Sequence, residues 1–204
     1  MLAPEHLAAC THLFRHGSVE ASVALSRWIG RPSRISIEQV EQVSLSKATE
    51  VLGDPESPIC VCAMGLRGRV TGQLILAFDD ASGLALADLL LGNSLGTATE
   101  WGEVEQSAAL ETANIIGCAY LNSIARSFPE SMEDSEVMVP TPPRFARDFA
   151  ESVMEFALMN QAMVSDLVFL TRTEFSIENS PVNCNLLLVP DARSLSMLRE
   201  IPAV

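Results

Sequence analysis

The chain has 204 residues, of which 48% are hydrophobic and 19% are charged, and its formal net charge is −13. The apolar fraction is too high for a disordered protein, and the length suffices for a core that needs no metal or disulfide. The acidic excess argues against nucleic acid and anionic membranes as partners, because both bind basic surfaces.

The sequence contains no apolar run long enough to span a bilayer. Its N-terminus lacks the basic and apolar regions of a signal peptide. The five cysteines, an odd number, indicate reduced thiols rather than a disulfide framework. We therefore expect a cytoplasmic protein that does not insert into membranes.

The first half of the sequence predicts a long helix, a strand, a short helix, a hairpin and a further helix. A break in the alternation between Ile37 and Val40 predicts a bulge in the first strand. Asp79 or Asp80 suits the N-terminus of the last helix, and Gly92 suits its end. The predicted bounds are 4–29, 35–45, 46–52, 59–64, 70–78 and 79–92.

The second half predicts a similar series of elements. A long helix is followed by an acidic loop with several prolines and a short strand, then by a helix, a second hairpin and a final helix. The predicted bounds are 101–127 for the long helix, 131–143 for the loop with its strand at 137–139, 144–158 for the next helix, 162–177 and 182–189 for the hairpin, and 191–199 for the last helix.

This order of elements predicts an α+β fold in which two pseudo-symmetric halves share a largely antiparallel sheet packed with long helices. The halves span about residues 4–92 and 101–200. They do not match residue for residue, so the repeat lies in the architecture. We expect one domain over residues 1–204.

Two groups of residues have the spacing of metal ligands. His12 and His16 lie one turn apart on the first helix, but no third ligand accompanies them, and polar residues on a solvated helix face are the favoured interpretation. Cys60 and Cys62 lie on one side of a strand, where buried small hydrophobic residues are the favoured interpretation. The sequence therefore predicts no metal site.

The long helix is the most informative segment of the sequence. At about 100° per residue, its polar side chains fall on one narrow stripe, and almost every other direction is apolar or small. A helix of this kind is mostly buried, so its polar stripe must reach solvent or a partner. A solvated leftover face and a binding site both fit the pattern. The stripe consists of Ser107, Glu111, Asn114, Cys118 and Asn122.

Ser107, Glu111 and Asn114 resemble the Ser/Asp-x-x-x-Glu-x-x-Asn motif of the CheC/CheX/FliY family of bacterial chemotaxis phosphatases. The family motif continues to a proline after the helix, and Pro142 stands a few residues later than is usual there. The loop at 129–136 looks like an insertion. Weaker similarity at 40–47, 70–76 and 89–92 extends the resemblance over most of the chain.

The resemblance implies a CheC-like fold and hydrolysis of the aspartyl phosphate on a response-regulator receiver domain. Glu111 and Asn114 would be the catalytic pair, with Ser107 and Pro142 as binding residues. The protein would need no cofactor of its own, because the receiver carries the divalent ion. A deamidase-type chemotaxis protein and a second copy of the chain remain open as further partners.

CheC-type proteins can carry one such motif in each half. Counting along the first helix places His12 and Arg15 where Glu and Asn would stand, so the first site is expected to be lost. Flagellar switch proteins with this fold lack the motif in one or both halves. A non-catalytic adaptor or switch-like module that binds a response regulator is therefore the alternative function.

Overall fold

A computed structural model describes residues 2–52, 57–126, 128, 137–153, 167–178, 180–191 and 194. No helix in these ranges is both long enough and apolar enough to cross a membrane. The elements are α1 (Pro4–Ile29), β1 (Ser33–Ser44), α2 (Leu45–Leu52), β2 (Pro58–Arg67), β3 (Gly72–Asp79), α3 (Asp80–Leu91), α4 (Glu103–Ala125), β4 (Val139–Pro140), β5 (Arg144–Phe149), β6 (Leu167–Ile177) and β7 (Ser180–Pro190).

The seven strands form one sheet in the order β1-β6-β7-β3-β2-β4. β5 pairs with the same edge of β2 as β4 does, but at the other end of that strand. All strand pairs are antiparallel. Each half gives its first strand to the hairpin of the other half, since β1 pairs with β6 and β5 pairs with β2. Exchanging β1, β2 and β3 for β5, β6 and β7 reproduces the same order, as two halves related by a pseudo-two-fold axis require.

The two faces of the sheet carry separate hydrophobic clusters, because successive side chains of a strand point to opposite sides. On β3, Leu74 and Leu76 belong to the larger cluster with α1, α3 and α4, whereas Ile75 belongs to a smaller one. The smaller cluster contains residues of α2 and of a helical turn at 150–153. The three long helices therefore lie on one face of the sheet.

Two glycines allow α4 to lie deep in this layer. A Cβ on Gly17 of α1 would come within 2.7 Å of the Tyr120 Cδ1 atom and 3.2 Å of the Tyr120 Cα atom. A Cβ on Gly117 would come within 2.3 Å of the Met64 sulfur on β2. The missing side chains thus set the distance of α4 from α1 and from the sheet.

Hydroxyl groups of α1 satisfy the outer edge of β1. The backbone N–H groups of Ile35 and Val40 donate to Ser22 Oγ at 2.8 Å and to Thr11 Oγ1 at 3.1 Å. Ser26 Oγ accepts from the Ser33 N–H at 2.8 Å. Because an open strand edge invites further strand pairing, these bonds protect that end of the sheet.

Most predicted elements are confirmed, including the bulge in β1, where the register shifts between Ile37 and Val40. The prediction of a helix from residue 144 was wrong for Arg144–Phe149, which form β5. These six residues complete the edge of the sheet along β2, and that pairing outweighs the helical period of the segment.

Several predictions lie outside the described residues. They are the acidic insertion at 129–136, the end of the predicted helix at 154–158, the start of a predicted strand at 162–166, and most of the last helix, of which only Asp191 and Ser194 are described.

The contact between α1 and α4 predicts different costs for two glycine substitutions. Gly17→Ala should lower the free energy of unfolding by about 1–3 kcal/mol, because the new methyl group meets the Tyr120 ring and backbone. Gly117→Ala should cost less, since the flexible Met64 side chain can move, whereas the gain of roughly 1 kcal/mol in helix propensity is common to both variants. Urea denaturation of both variants measures the difference, and equal losses would contradict it.

Candidate functional site

The polar stripe of α4 reaches the surface at one side of a helix that is otherwise buried. Ser107 and Glu111 are exposed, and Asn114, which lies further along the same stripe, is half-buried. The residues that flank the stripe are closed off from solvent; they include Ala108, Ala109, Thr112, Ala113, Ile116 and Gly117. The predicted burial of the helix is therefore observed, and so is the exposure of its polar line.

The opposite wall of the site is the segment that joins β4 to β5. The Thr141 N–H donates to the Gly65 carbonyl at 2.8 Å, and the Gly65 N–H donates to Thr141 Oγ1 at 2.9 Å. This pair of bonds fixes the segment on β2 where the strand pairing is interrupted between Pro140 and Arg144. The sequence did not single out Thr141, and no motif marks it.

Together the helix and this segment enclose a cleft of about 420 Å³. Its lining brings together all four residues that the sequence proposed as site residues, namely Ser107, Glu111, Asn114 and Pro142. Leu110, Pro140, Thr141 and Pro143 complete the lining. Pro142 is exposed at the rim. A carboxylate and a carboxamide thus face a rigid wall of proline residues across a cleft open to solvent.

Cys118 lies one helical turn beyond Asn114, and its thiol lies 3.8 Å from Asn114 Oδ1, to which it donates a weak hydrogen bond. Burial, and then the negative charge of Glu111, raise the pKa of Cys118, so the thiol stays protonated at neutral pH. Since a carbonyl oxygen has two lone pairs, Asn114 Oδ1 keeps one acceptor position for a further donor.

One carboxylate ties the two walls of the cleft together. Asp80 Oδ1 accepts from Trp101 Nε1 at 2.7 Å, just before α4 begins. Arg147 of β5 donates to both Asp80 oxygens at 2.8 and 2.9 Å. The hydrogen bond from Arg147 is the main cause that lowers the pKa of Asp80 to about 2. The sequence identified Asp80 only as part of a helix N-terminus and missed this cluster.

The corresponding place in the first half carries a different contact. Arg15 donates a hydrogen bond to the Glu38 carbonyl, inside the bulge of β1. The exchange of halves equates this bulge with the segment that holds Thr141 and Pro142. His12 is exposed on the same helix. Arg15 therefore braces the strand at the position where the second half leaves a cleft.

The residues with metal-ligand spacing are placed as the favoured interpretations predicted. His12 and His16 are both exposed, and His16 Nε2 lies 3.2 Å from Glu20. Cys60 and Cys62 are fully buried in the larger cluster, and burial raises the pKa of Cys62 to about 12. Among the described residues, no three His, Cys, Asp or Glu side chains are grouped as a metal site requires.

The architecture defines a class of α+β proteins in which two halves exchange strands within one sheet. No protein-family model matches the sequence. FliY from Thermotoga maritima has a TM-score of 0.77 and 19% identity, with 98% of this chain and 97% of that one covered. The corresponding values for the FliM middle domain from H. pylori are 0.70, 13%, 98% and 100%.

The CheX–CheY–BeF3–Mg²⁺ complex from Borrelia burgdorferi is more distant. Its TM-score is 0.51 at 17% identity, with 88% of this chain and 96% of that one covered. At these identities the similarity concerns the fold. This chain therefore has the fold of the CheC/CheX/FliY family, which confirms the fold that the resemblance implied.

The Asp80 cluster predicts an acid-sensitive contribution to stability. The pKa of Asp80 is lowered from 3.8 to about 2, so its contribution is complete above about pH 4 and is lost as the pH falls through about 2. Because the side chain is about a third exposed, we expect no more than about 1 kcal/mol from the ion pair. Asp80→Asn should flatten the fall in the free energy of unfolding between pH 4 and 2.

A double-mutant cycle with Arg147→Gln isolates the pair. If the partners are coupled, the double variant should lose less than the sum of the two single variants in urea denaturation at pH 7. A wild-type pH profile for Asp80→Asn would contradict the assignment.

Proposed function

We propose that this protein hydrolyses the aspartyl phosphate of a response-regulator receiver domain. The observation that carries the proposal is the cleft itself. Glu111 and Asn114 lie together on the polar stripe of a buried helix and face Pro142 across an open space. A surface that only needed solvation would require no opposite wall.

The reaction needs only a small rate acceleration from the protein. An acyl phosphate is already reactive, and a hundredfold acceleration corresponds to only about 2.7 kcal/mol of transition-state stabilisation. Holding one water in line with the phosphorus atom supplies stabilisation of this size. Asn114 is suited to this task, because its carboxamide offers both a donor and an acceptor to a water. The Cys118 thiol beside Oδ1 restricts the orientation of that carboxamide.

Glu111 acts in docking. Its exposed carboxylate lies one turn before Asn114 and would meet a lysine of the receiver in a charge-assisted contact. Ser107 precedes the pair on the same stripe, Pro142 lies on the opposite wall, and both contact the receiver surface. The receiver supplies the divalent ion, so the proposal assigns no metal ligand to this chain.

Two findings support a receiver as the partner. The motif that Ser107, Glu111 and Asn114 resemble belongs to phosphatases of receivers, and the three residues share one cleft. One protein with the same fold, CheX from B. burgdorferi, forms a complex with CheY in the presence of BeF3 and Mg²⁺.

A second candidate function is a non-catalytic adaptor or switch-like module. One comparison favours it: the FliM middle domain from H. pylori matches this chain at a TM-score of 0.70, below FliY at 0.77 but above the CheX complex at 0.51. An H. pylori FliM with this fold occurs in a complex with FliG. The decay of a phosphorylated receiver with and without this protein separates the two functions.

Asn114→Ala tests the catalytic step. If Asn114 orients the attacking water, the variant should lose about 100-fold in the single-turnover rate, or about 2.7 kcal/mol, and should still bind the receiver. Folding should change by only about 0.5 kcal/mol, because the side chain lies at the surface. His12→Ala, in the half that lacks the motif, is the control and should keep the wild-type rate. A wild-type rate for Asn114→Ala would remove the catalytic mechanism and leave the adaptor.

Glu111→Ala tests the docking contact. The variant should bind the phosphorylated receiver about tenfold more weakly, a loss of about 1.4 kcal/mol, since it lacks one charge at the interface. The rate at saturating protein should stay within a few-fold of wild type. Titration at two salt concentrations is the measurement, and an unchanged affinity with a lower saturating rate would assign Glu111 to the chemical step instead.

A further inference from the structure

A second groove adjoins the cleft at the N-terminal end of α4. It lies between α1, α3 and α4 and encloses about 420 Å³. Large apolar side chains line it, together with the two acidic residues Glu103 and Glu111. The apolar members are Trp28, Leu90, Leu91 and Val104.

The apolar lining of this groove is unusually open. The exposed fraction is 45% for Trp28, 41% for Leu91 and 57% for Val104. Single exposed hydrophobic residues are common on proteins, but three that line one groove indicate an interaction surface. Tryptophan is also one of the three residue types that are enriched among the side chains that dominate the energy of an interface.

The groove and the cleft form one surface. Ser107 and Glu111 line both of them. Val104 precedes Glu111 by two turns and Asn114 by ten residues, so it lies about 15 Å from Asn114 along the helix. An interface that buries about 800 Å² per partner has a radius of about 16 Å, so a protein docked over Asn114 also covers the groove.

We propose that this groove receives an apolar side chain of the docked receiver, flanked by a basic residue that meets Glu103, and that it thereby selects which receiver is bound. The inference rests on the proposed partner but not on the hydrolysis step. Burying an apolar side chain against Trp28 supplies affinity, and the acidic rim sets the charge of the partner surface. Glu111 and Asn114 then act on a phosphate that every receiver shares, so the groove determines which receiver is bound in preference to the others.

The test uses the activated receiver domains of the same organism, each held with Mg²⁺ and beryllofluoride. Trp28→Ala and Val104→Ala should each bind the preferred receiver in this form at least tenfold more weakly. With the phosphorylated receiver, their single-turnover rate at saturating protein should be unchanged. Val104→Ala guards against a folding artefact, because it truncates an exposed side chain in the first turn of α4. Val19→Ala is the matched control, since Val19 is 61% exposed on the opposite side of α1 and should have no effect.

Fluorine NMR gives a direct readout, because the chain has two tryptophans. With 5-fluorotryptophan in this protein, the unlabelled receiver should shift the Trp28 resonance. The Trp101 resonance should stay in place, since that indole is fixed by Asp80 and lies against Phe145 at a ring-centroid distance of 4.8 Å. A Trp28 resonance that does not respond to a bound receiver would overturn the proposal.

Each of the remaining outcomes either supports or overturns the inference. Wild-type affinity in both groove variants overturns the inference, whatever the phosphatase rate. Sedimentation that shows self-association lost in Trp28→Ala, with receiver binding intact, overturns it in favour of a second copy of this chain. A wild-type protein that binds no receiver overturns it as well. Groove-dependent binding without hydrolysis supports the inference and removes the proposed catalytic function.

Discussion

The burial of α4 is the constraint on which the rest of the structure depends. A helix that is apolar in nearly every direction must be covered by α1, by α3 and by the sheet, and only one line of polar residues is left at the surface. Gly17 and Gly117 let that packing become close enough to fix the helix. The orientation of Glu111 and Asn114 is thus a consequence of the hydrophobic core.

The second wall of the cleft depends on the exchange of strands between the halves. β4 and β5 belong to the second half of the chain but pair with β2 of the first. The interruption between them projects Thr141–Pro143 toward α4, and Asp80 joins β5 to Trp101, two residues before α4 begins. A site formed by one half is in this way held rigid by the other, as precise positioning of a water requires.

The sequence predicted the elements whose signals are local. Helical spacing, the break between Ile37 and Val40, and Gly92 at a helix end each depend on neighbouring residues, and each was confirmed. β5 was mistaken for a helix because its conformation is set by β2, more than eighty residues earlier. Of the cleft, the sequence predicted the polar stripe on α4 and the proline that lies on the opposite wall. The parts that hold it, Thr141 on Gly65 and Arg147 on Asp80, are tertiary contacts without any motif.

The two halves show how one framework serves two purposes. Each half places a helix beside an interruption in its first strand, and the residue on the helix decides what forms there. Arg15 reaches the Glu38 carbonyl inside the bulge, whereas the shorter Asn114 faces the opposite segment across the cleft. A long cation bonded to a backbone oxygen stabilises the bulge, and it has no acceptor atom with which to orient a water. In the second half the two bonds between Thr141 and Gly65 hold the interruption on β2 without any side chain of α4, so the helix can keep a carboxamide in the cleft.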